Sequence, residues 1–157
     1  SESGRTLYGG GGITPDLLVA PETLVPREAD AVRGLFARAG AFSLTLFNYA
    51  VGYVAEHPEL EIGFTVSTAE LEAFYTMLPE YGATIDRADF DNAERFVRYH
   101  LEREIALQAW GDPGAFIQLL SHDLQLLRAV EILGSAPTPG QLITDVTGLQ
   151  TEAEPQG

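Results

Sequence analysis

FSLTLFNYAVGYVAEHP, residues 42–58, carries apolar side chains on nearly every side of a helical wheel: Phe42, Leu44, Leu46, Phe47, Tyr49, Val51, Tyr53 and Val54. A helix that buries one stripe needs one neighbour, whereas a helix apolar all round needs several. The stretch therefore predicts a helix from Phe42 to Glu56, ended by Pro58 and surrounded by other elements.

The flanking sequence supplies those neighbours. Upstream, Ala31, Val32, Leu35 and Phe36 recur at helical spacing and predict a first helix over Arg27 to Ala39, with Gly40 as its stop. Downstream, Ile62 to Val66 reads as a short strand or an extended link into Ser67-x-x-Glu70, a capping box that opens a third helix. Its stripe is Leu71, Phe74, Tyr75 and Leu78, closed by Pro79 and Gly82. A fourth helix from Asp89 to Trp110 places Phe90, Ala93, Phe96, Val97, Leu101 and Ile105 on one side. Glu94, Arg98 and Glu102 lie opposite as a solvated face, whose i,i+4 pairs contribute only ~0.2–0.5 kcal/mol each. Asp112 and Pro113 read as N-cap and first-turn proline of a fifth helix reaching Leu133 and ended by Gly134, with Phe116, Leu119, Leu120, Leu124, Leu127 and Val130 as its stripe. Near the start, Thr6 to Tyr8 and Leu17 to Val19 form short extended pieces, the second bracketed by Pro15 and Pro21 as an edge strand would be. The expected fold is mainly α, an irregular bundle of about five helices led by a short N-terminal β segment. The expected division is 1–26 for the β region, 27–134 for the helical domain, and 135–157 for a Pro/Gly linker and polar tail.

Charge and composition exclude several functions. With 23 acidic against 9 basic residues the net charge is −14, so a phosphate backbone or an anionic membrane is repelled and no nucleic-acid partner is expected. No apolar run reaches the ~20 residues of a spanning helix. The chain has no cysteine, which removes disulfides and thiolate metal sites. All 9 basic residues are arginine, so neither a Schiff base nor a lysine general base is possible within these residues. Beginning SESGR in what reads as a polar turn, the sequence is expected to be a piece of a longer protein with any targeting signal upstream.

Four constellations invite a chemical reading. Gly9 to Gly12 would cradle a phosphate only if a helix began directly after them, and Pro15 and Pro21 enforce extended chain instead; no cofactor is expected. Ser121, His122 and Asp123 have the residue types of a hydrolytic triad, yet helical neighbours diverge by about 100° and cannot align. They read as a polar helix edge. His100 and Glu104 share a helix face, but nothing completes a metal set, and His57, His100 and His122 lie far apart in sequence; no metal is expected. The aromatic residues of the second and third helices are core or, less simply, the lining of a small-molecule cavity.

The segment SGRTLYGGGGITPDLLVAP, residues 3–21, resembles the late part of the catalytic core in carboxyl-terminal processing proteases, tail-specific serine peptidases with a Ser/Lys dyad. The elements in order are Ser3, Gly4 and Arg5, then Gly9, Gly10, Gly11 and Gly12, then Ile13, Pro15 and Asp16, then Leu17 to Val19. Residues WGDPGAF and LLSHDLQLLRAVEIL, from Trp110 onward, are similar to the Asp-x-Gln-containing last helix of bacterial members. The resemblance implies that glycine and proline shape a strand crossing at the end of the core, while the helices form a C-terminal appendage. In that family the PDZ-like module, nucleophilic serine and catalytic lysine lie upstream, so none falls on these residues. It implies a non-catalytic buttressing or self-associating region of a peptidase whose intact form cleaves protein or peptide substrates in an extracytoplasmic compartment. The alternative class is a free-standing helical module that takes a partner helix in an apolar groove. The N-terminal piece itself, with Leu7, Tyr8, Ile13, Leu17, Leu18 and Val19 beside unpaired backbone groups, is expected to seek the bundle or a second copy and give a homodimer through residues 6–19.

Overall fold

The computed structural model describes residues 23–135, together with 19, 138, 140–142 and 144. The motif residues Gly4, Arg5, Gly9, Gly10, Gly11, Gly12, Ile13, Pro15 and Asp16, and the rest of the expected β segment, lie outside the described residues. The described part is mainly α, as the periodicity requires. Its elements are α1 (Pro26–Phe36), α2 (Ala39–Glu56), α3 (Thr68–Met77), α4 (Arg87–Asn92), α5 (Glu94–Leu119) and α6 (Leu124–Ser135), with 3-10 turns at Leu78–Tyr81 and Leu120–His122. They fall into two units, one spanning Thr23–His122 and one that includes α6.

In the first unit α2 is the axis, packed against α1, α3 and α5. The core runs through Ala31, Val32, Leu35, Phe42, Leu46, Ala50, Leu71, Phe74, Leu78, Phe90, Val97, Leu101 and Ile105. Phe74 has no exposed surface and meets Phe42 and Tyr49 edge-on at 5.8 and 5.6 Å, with Phe90 tilted at 6.5 Å. Edge-to-face aromatic pairs contribute roughly 0.5–1.5 kcal/mol beyond the area they bury. Arg95 grips Glu28 with both Nε and Nη2, at 3.0 and 2.9 Å, and so ties α1 to α5. The capping box forms: Glu70 N–H donates to Ser67 Oγ at 3.3 Å, and the Ser67 N–H donates back to Glu70 Oε2.

Several boundaries differ from the sequence reading. The first helix stops at Phe36 in an Ala37–Arg38 turn, and Gly40 lies inside α2 rather than ending α1. The expected fourth helix is two: Asp86 caps a short α4 through Ala88 N–H at 2.9 Å, and the chain bends at Ala93 before α5. Asp89, Asp91 and Asn92 are weak helix-interior residues, which is why the bend falls there. The link from Ile62 to Val66 opens with a turn at Ile62 and Gly63 and forms no strand among the described residues. The expected fifth helix divides at Leu120–His122, because Asp123 Oδ1 accepts from Leu126 N–H at 2.9 Å and starts α6 afresh. Its expected stripe is accordingly misplaced: Phe116, Leu124, Leu127 and Val130 are exposed, while Ala115, Gln118 and Ile132 are buried. Nor is α2 enclosed on every side, since Leu44, Phe47 and Val51 are 49%, 47% and 45% exposed. In the second unit Gln125 Nε2 donates to the Val19 carbonyl at 3.1 Å.

Within α5 the backbone breaks at Gly111, where φ is 70° and ψ is −170°, and helix resumes through Pro113. Only glycine adopts that conformation without strain. One turn after Trp110, Gly114 has no room for a side chain: a Cβ there would collide with Trp110 Cβ and stand 3.2 Å from its Cγ. Replacing Gly111 or Gly114 by alanine is expected to cost about 1–3 kcal/mol each. In a thermal melt that is a drop of roughly 2–4 °C per kcal/mol. Unchanged melts for both variants would contradict the tight break.

Candidate functional site

The polar groups that the fold brings together lie where α5 meets the link before α3. Glu102, expected on the solvated face of a helix, is instead 1% exposed. Its Oε1 accepts from the Val66 N–H at 3.0 Å, and Oε2 lies 3.1 Å from His122 Nε2. Two turns past the Gly111 break, Gln118 grips the same link: Gly63 N–H donates to its Oε1 at 2.7 Å and its Nε2 donates to the Phe64 carbonyl at 2.6 Å. Gly63 holds φ of 95°, which turns its N–H toward that bond without steric cost. Irregular backbone at a core surface must find partners for its N–H and C=O groups, and here two side chains of α5 supply them. Among the described residues no buried side-chain nitrogen or oxygen lacks a partner.

A second polar cluster joins α2 to α3. Tyr53 OH donates to Glu70 Oε1 at 2.6 Å and Tyr49 OH donates to the Glu70 carbonyl at 3.1 Å. Burial, reinforced by Glu70 and Glu56, pushes the Tyr49 phenol up to about 12, and Tyr53 is raised further by burial and its bond to Glu70. Burial alone would raise Glu70, but hydrogen bonds from Tyr53 and Ser67 hold its carboxyl below the usual range. His57 stacks on Tyr53 with centroids 4.0 Å apart, and its Nδ1 lies 2.8 Å from the Tyr53 carbonyl. A carbonyl can only accept, so Nδ1 is the donor in this contact. Between the clusters, residues Glu56 to Phe64 line an open groove of about 580 Å³.

The chemical candidates disperse. Ser121 Oγ is turned toward the Gln118 carbonyl at 3.5 Å, His122 toward Glu102, and Asp123 toward the first turn of α6, so the three form no triad. His100 packs 4.2 Å from Phe96; burial, then the neighbouring Arg103, lowers its pKa. Glu104 accepts from Gln108 instead of sharing a ligand with His100. No cluster of three or more metal-ligating side chains occurs among the described residues. Of the α2 and α3 aromatics, Phe42 and Tyr49 pack edge-on against Phe74. None of the described helices is long and apolar enough to cross a membrane. Sequence reasoning missed Glu102 and Gln118 because their partners are backbone groups 36 and 55 residues away. No protein-family model matches the chain, and neither the curated proteins nor the solved structures contain a match to it.

Gln118→Ala leaves the Gly63 N–H and Phe64 C=O unpaired and is expected to lower stability by about 1–3 kcal/mol or more, read from urea midpoints. Glu102→Leu should cost a similar amount, and Glu102→Gln, which still accepts from Val66, distinctly less. A second expectation concerns alkali. The folded state holds Tyr49 neutral to about 12 against an ordinary value near 10, so its stabilisation is whole below pH 10 and lost as pH rises toward 12. Tyr49→Phe should therefore flatten the fall in stability between pH 10 and 12, and an unaltered slope would contradict this.

Proposed function

We propose that this chain is the non-catalytic C-terminal helical region of a carboxyl-terminal processing peptidase, a serine-type enzyme acting on extracytoplasmic proteins. The observation that carries the reading is the order Ser3-Gly4-Arg5, Gly9 to Gly12, Ile13, Pro15 and Asp16. The order is specific because glycine, proline and aspartate each answer a different backbone requirement. Two further features support it. Asp123 and Gln125, the residues of the Asp-x-Gln likeness, have distinct tasks, one capping α6 and the other bonding the Val19 carbonyl that ends the motif's apolar piece. The buried Glu102 and Gln118 each bond irregular backbone, as in a buttress, and the contiguous Ser121-His122-Asp123 is disassembled.

A buttress acts by stiffness. The Arg95–Glu28 pair, the Glu102 and Gln118 grips and the Phe74 cluster all join elements distant in sequence within Thr23–His122. The intact protein would recognise chain ends upstream of Ser1 through a PDZ-like module and cleave them with a Ser/Lys pair located there. The alternative, a free-standing interaction module, is favoured by one observation: the uncovered Leu44, Phe47 and Val51 on α2.

The purified 157-residue chain is expected to leave unstructured peptides uncut, with Ser121→Ala indistinguishable from it. The intact protein should cleave them and lose activity when an upstream serine is replaced. Turnover by the purified chain in proportion to its concentration would overturn the non-catalytic role. An intact protein without peptidase activity would overturn the family reading.

A further inference from the structure

Two of the open cavities in the Thr23–His122 unit are lined by carboxylates, Glu56, Glu59 and Glu61 in one and Glu28, Asp91 and Glu94 in the other. A third is different. It is a cleft of about 90 Å³ where α1, α2 and α5 meet, and none of its lining residues is charged, on a chain of which 20% is charged. Leu35, Phe42 and Leu46 are buried and make its floor, while Phe36, Ala39 and Ser43 are exposed and make its mouth. Phe96 of α5 touches both, 5.7 Å edge-on to Phe36 and 6.4 Å from the stacked Phe42.

The polar side chains of this cleft are His100 and Ser43, and neither makes a hydrogen bond among the described residues. No buried side-chain nitrogen there lacks a partner, so the half-buried His100 ring keeps its unbonded nitrogens on accessible space, and the cleft is space that it lines. Burial and then Arg103 hold its pKa below the ordinary value, so at pH 7 the ring is neutral, with one nitrogen that donates and one that accepts. Water suits such a place poorly: a held water needs about two to four polar partners, and here two polar groups stand against six apolar side chains. An ion suits it less, because no opposite charge lines the cleft to offset the loss of its hydration.

We propose that this cleft binds a small neutral molecule with an apolar body and one hydroxyl, of the size of phenol or less. The body lies on Leu35, Phe42 and Leu46 with Phe36 and Phe96 at its edges, and the hydroxyl bonds His100 and Ser43. An engineered cavity of about 150 Å³ with a similar apolar lining takes benzene. At about 90 Å³ this cleft encloses less, so one ring is the upper limit, with its far edge at the mouth beside Phe36. The inference does not rest on the peptidase reading, since it concerns α1, α2 and α5 alone.

Calorimetric titration of the 157-residue chain with phenol and with benzene tests it. Phenol is expected to bind saturably at a single site, about threefold to tenfold more tightly than benzene, the effect of one hydrogen bond. His100→Leu should bring phenol down to the affinity of benzene and leave benzene unchanged. Ser43→Ala, at an exposed position, should move phenol in the same direction. Ala39→Leu, exposed at the first position of α2 and compatible with helix, should fill the mouth and abolish binding of both without lowering the melt. Absence of saturable phenol binding overturns the proposal, and so does phenol binding that Ala39→Leu leaves intact, which places the ligand elsewhere. Equal affinities for phenol and benzene, or a phenol preference that survives both His100→Leu and Ser43→Ala, overturn the recognition of a hydroxyl.

Discussion

Everything in the Thr23–His122 unit is arranged around one requirement: a carboxyl group and an amide buried on α5 must face backbone that has no helix or sheet of its own. A buried N–H without a partner costs about 1–3 kcal/mol, which is a sizeable share of the 5–15 kcal/mol that keeps a domain folded. Glu102 and Gln118 meet that requirement for Val66, Gly63 and Phe64, and in doing so fix where the chain leaves the loop and enters α3. The capping box at Ser67 follows one residue later, so α3 starts in a direction already set. α3 in turn carries Phe74, and Phe74 organises the aromatic centre against α2.

The helical character was legible because apolar periodicity is local. The Ser67–Glu70 box, the Pro79–Gly82 stop and the Gly111–Pro113 break all depend on residues within a turn of one another, and each stands where its residues indicate. The buried role of Glu102 was missed because it depends on distance. Glu102 sits in register with Glu94 and Arg98, and Arg98 does pair with Glu94 at 2.6 Å, so the pattern marked all three as solvated. Nothing near Glu102 in sequence reveals Val66 or His122. The division at Asp123 was missed for a local reason instead: aspartate is both a tolerable surface residue of a long helix and a strong N-cap, and the apolar spacing from Phe116 to Val130 outvoted the cap. The glycine-rich motif that carries the functional proposal lies outside the described residues.

α2 shows how one reading can be right about chemistry and incomplete about surroundings. Its all-round apolarity required neighbours, and α1, α3 and α5 take most of its circumference. The remainder is Leu44, Phe47 and Val51. Exposed apolar side chains also occur on α6, at Leu124, Leu127, Val130 and Leu133, so α2 is not alone in leaving part of its apolar surface open.

The irregular link between α2 and α3 has a consequence for how the molecule breathes. Loop amides ordinarily exchange with solvent through small local fluctuations. The amides of Gly63 and Val66 are held by side chains of α5, 55 and 36 residues away, so they open only when α5 lifts from the link. A segment with no regular secondary structure thereby belongs to the same cooperative unit as the longest helix. Proton exchange at those two amides reports the integrity of α5 rather than the mobility of a loop.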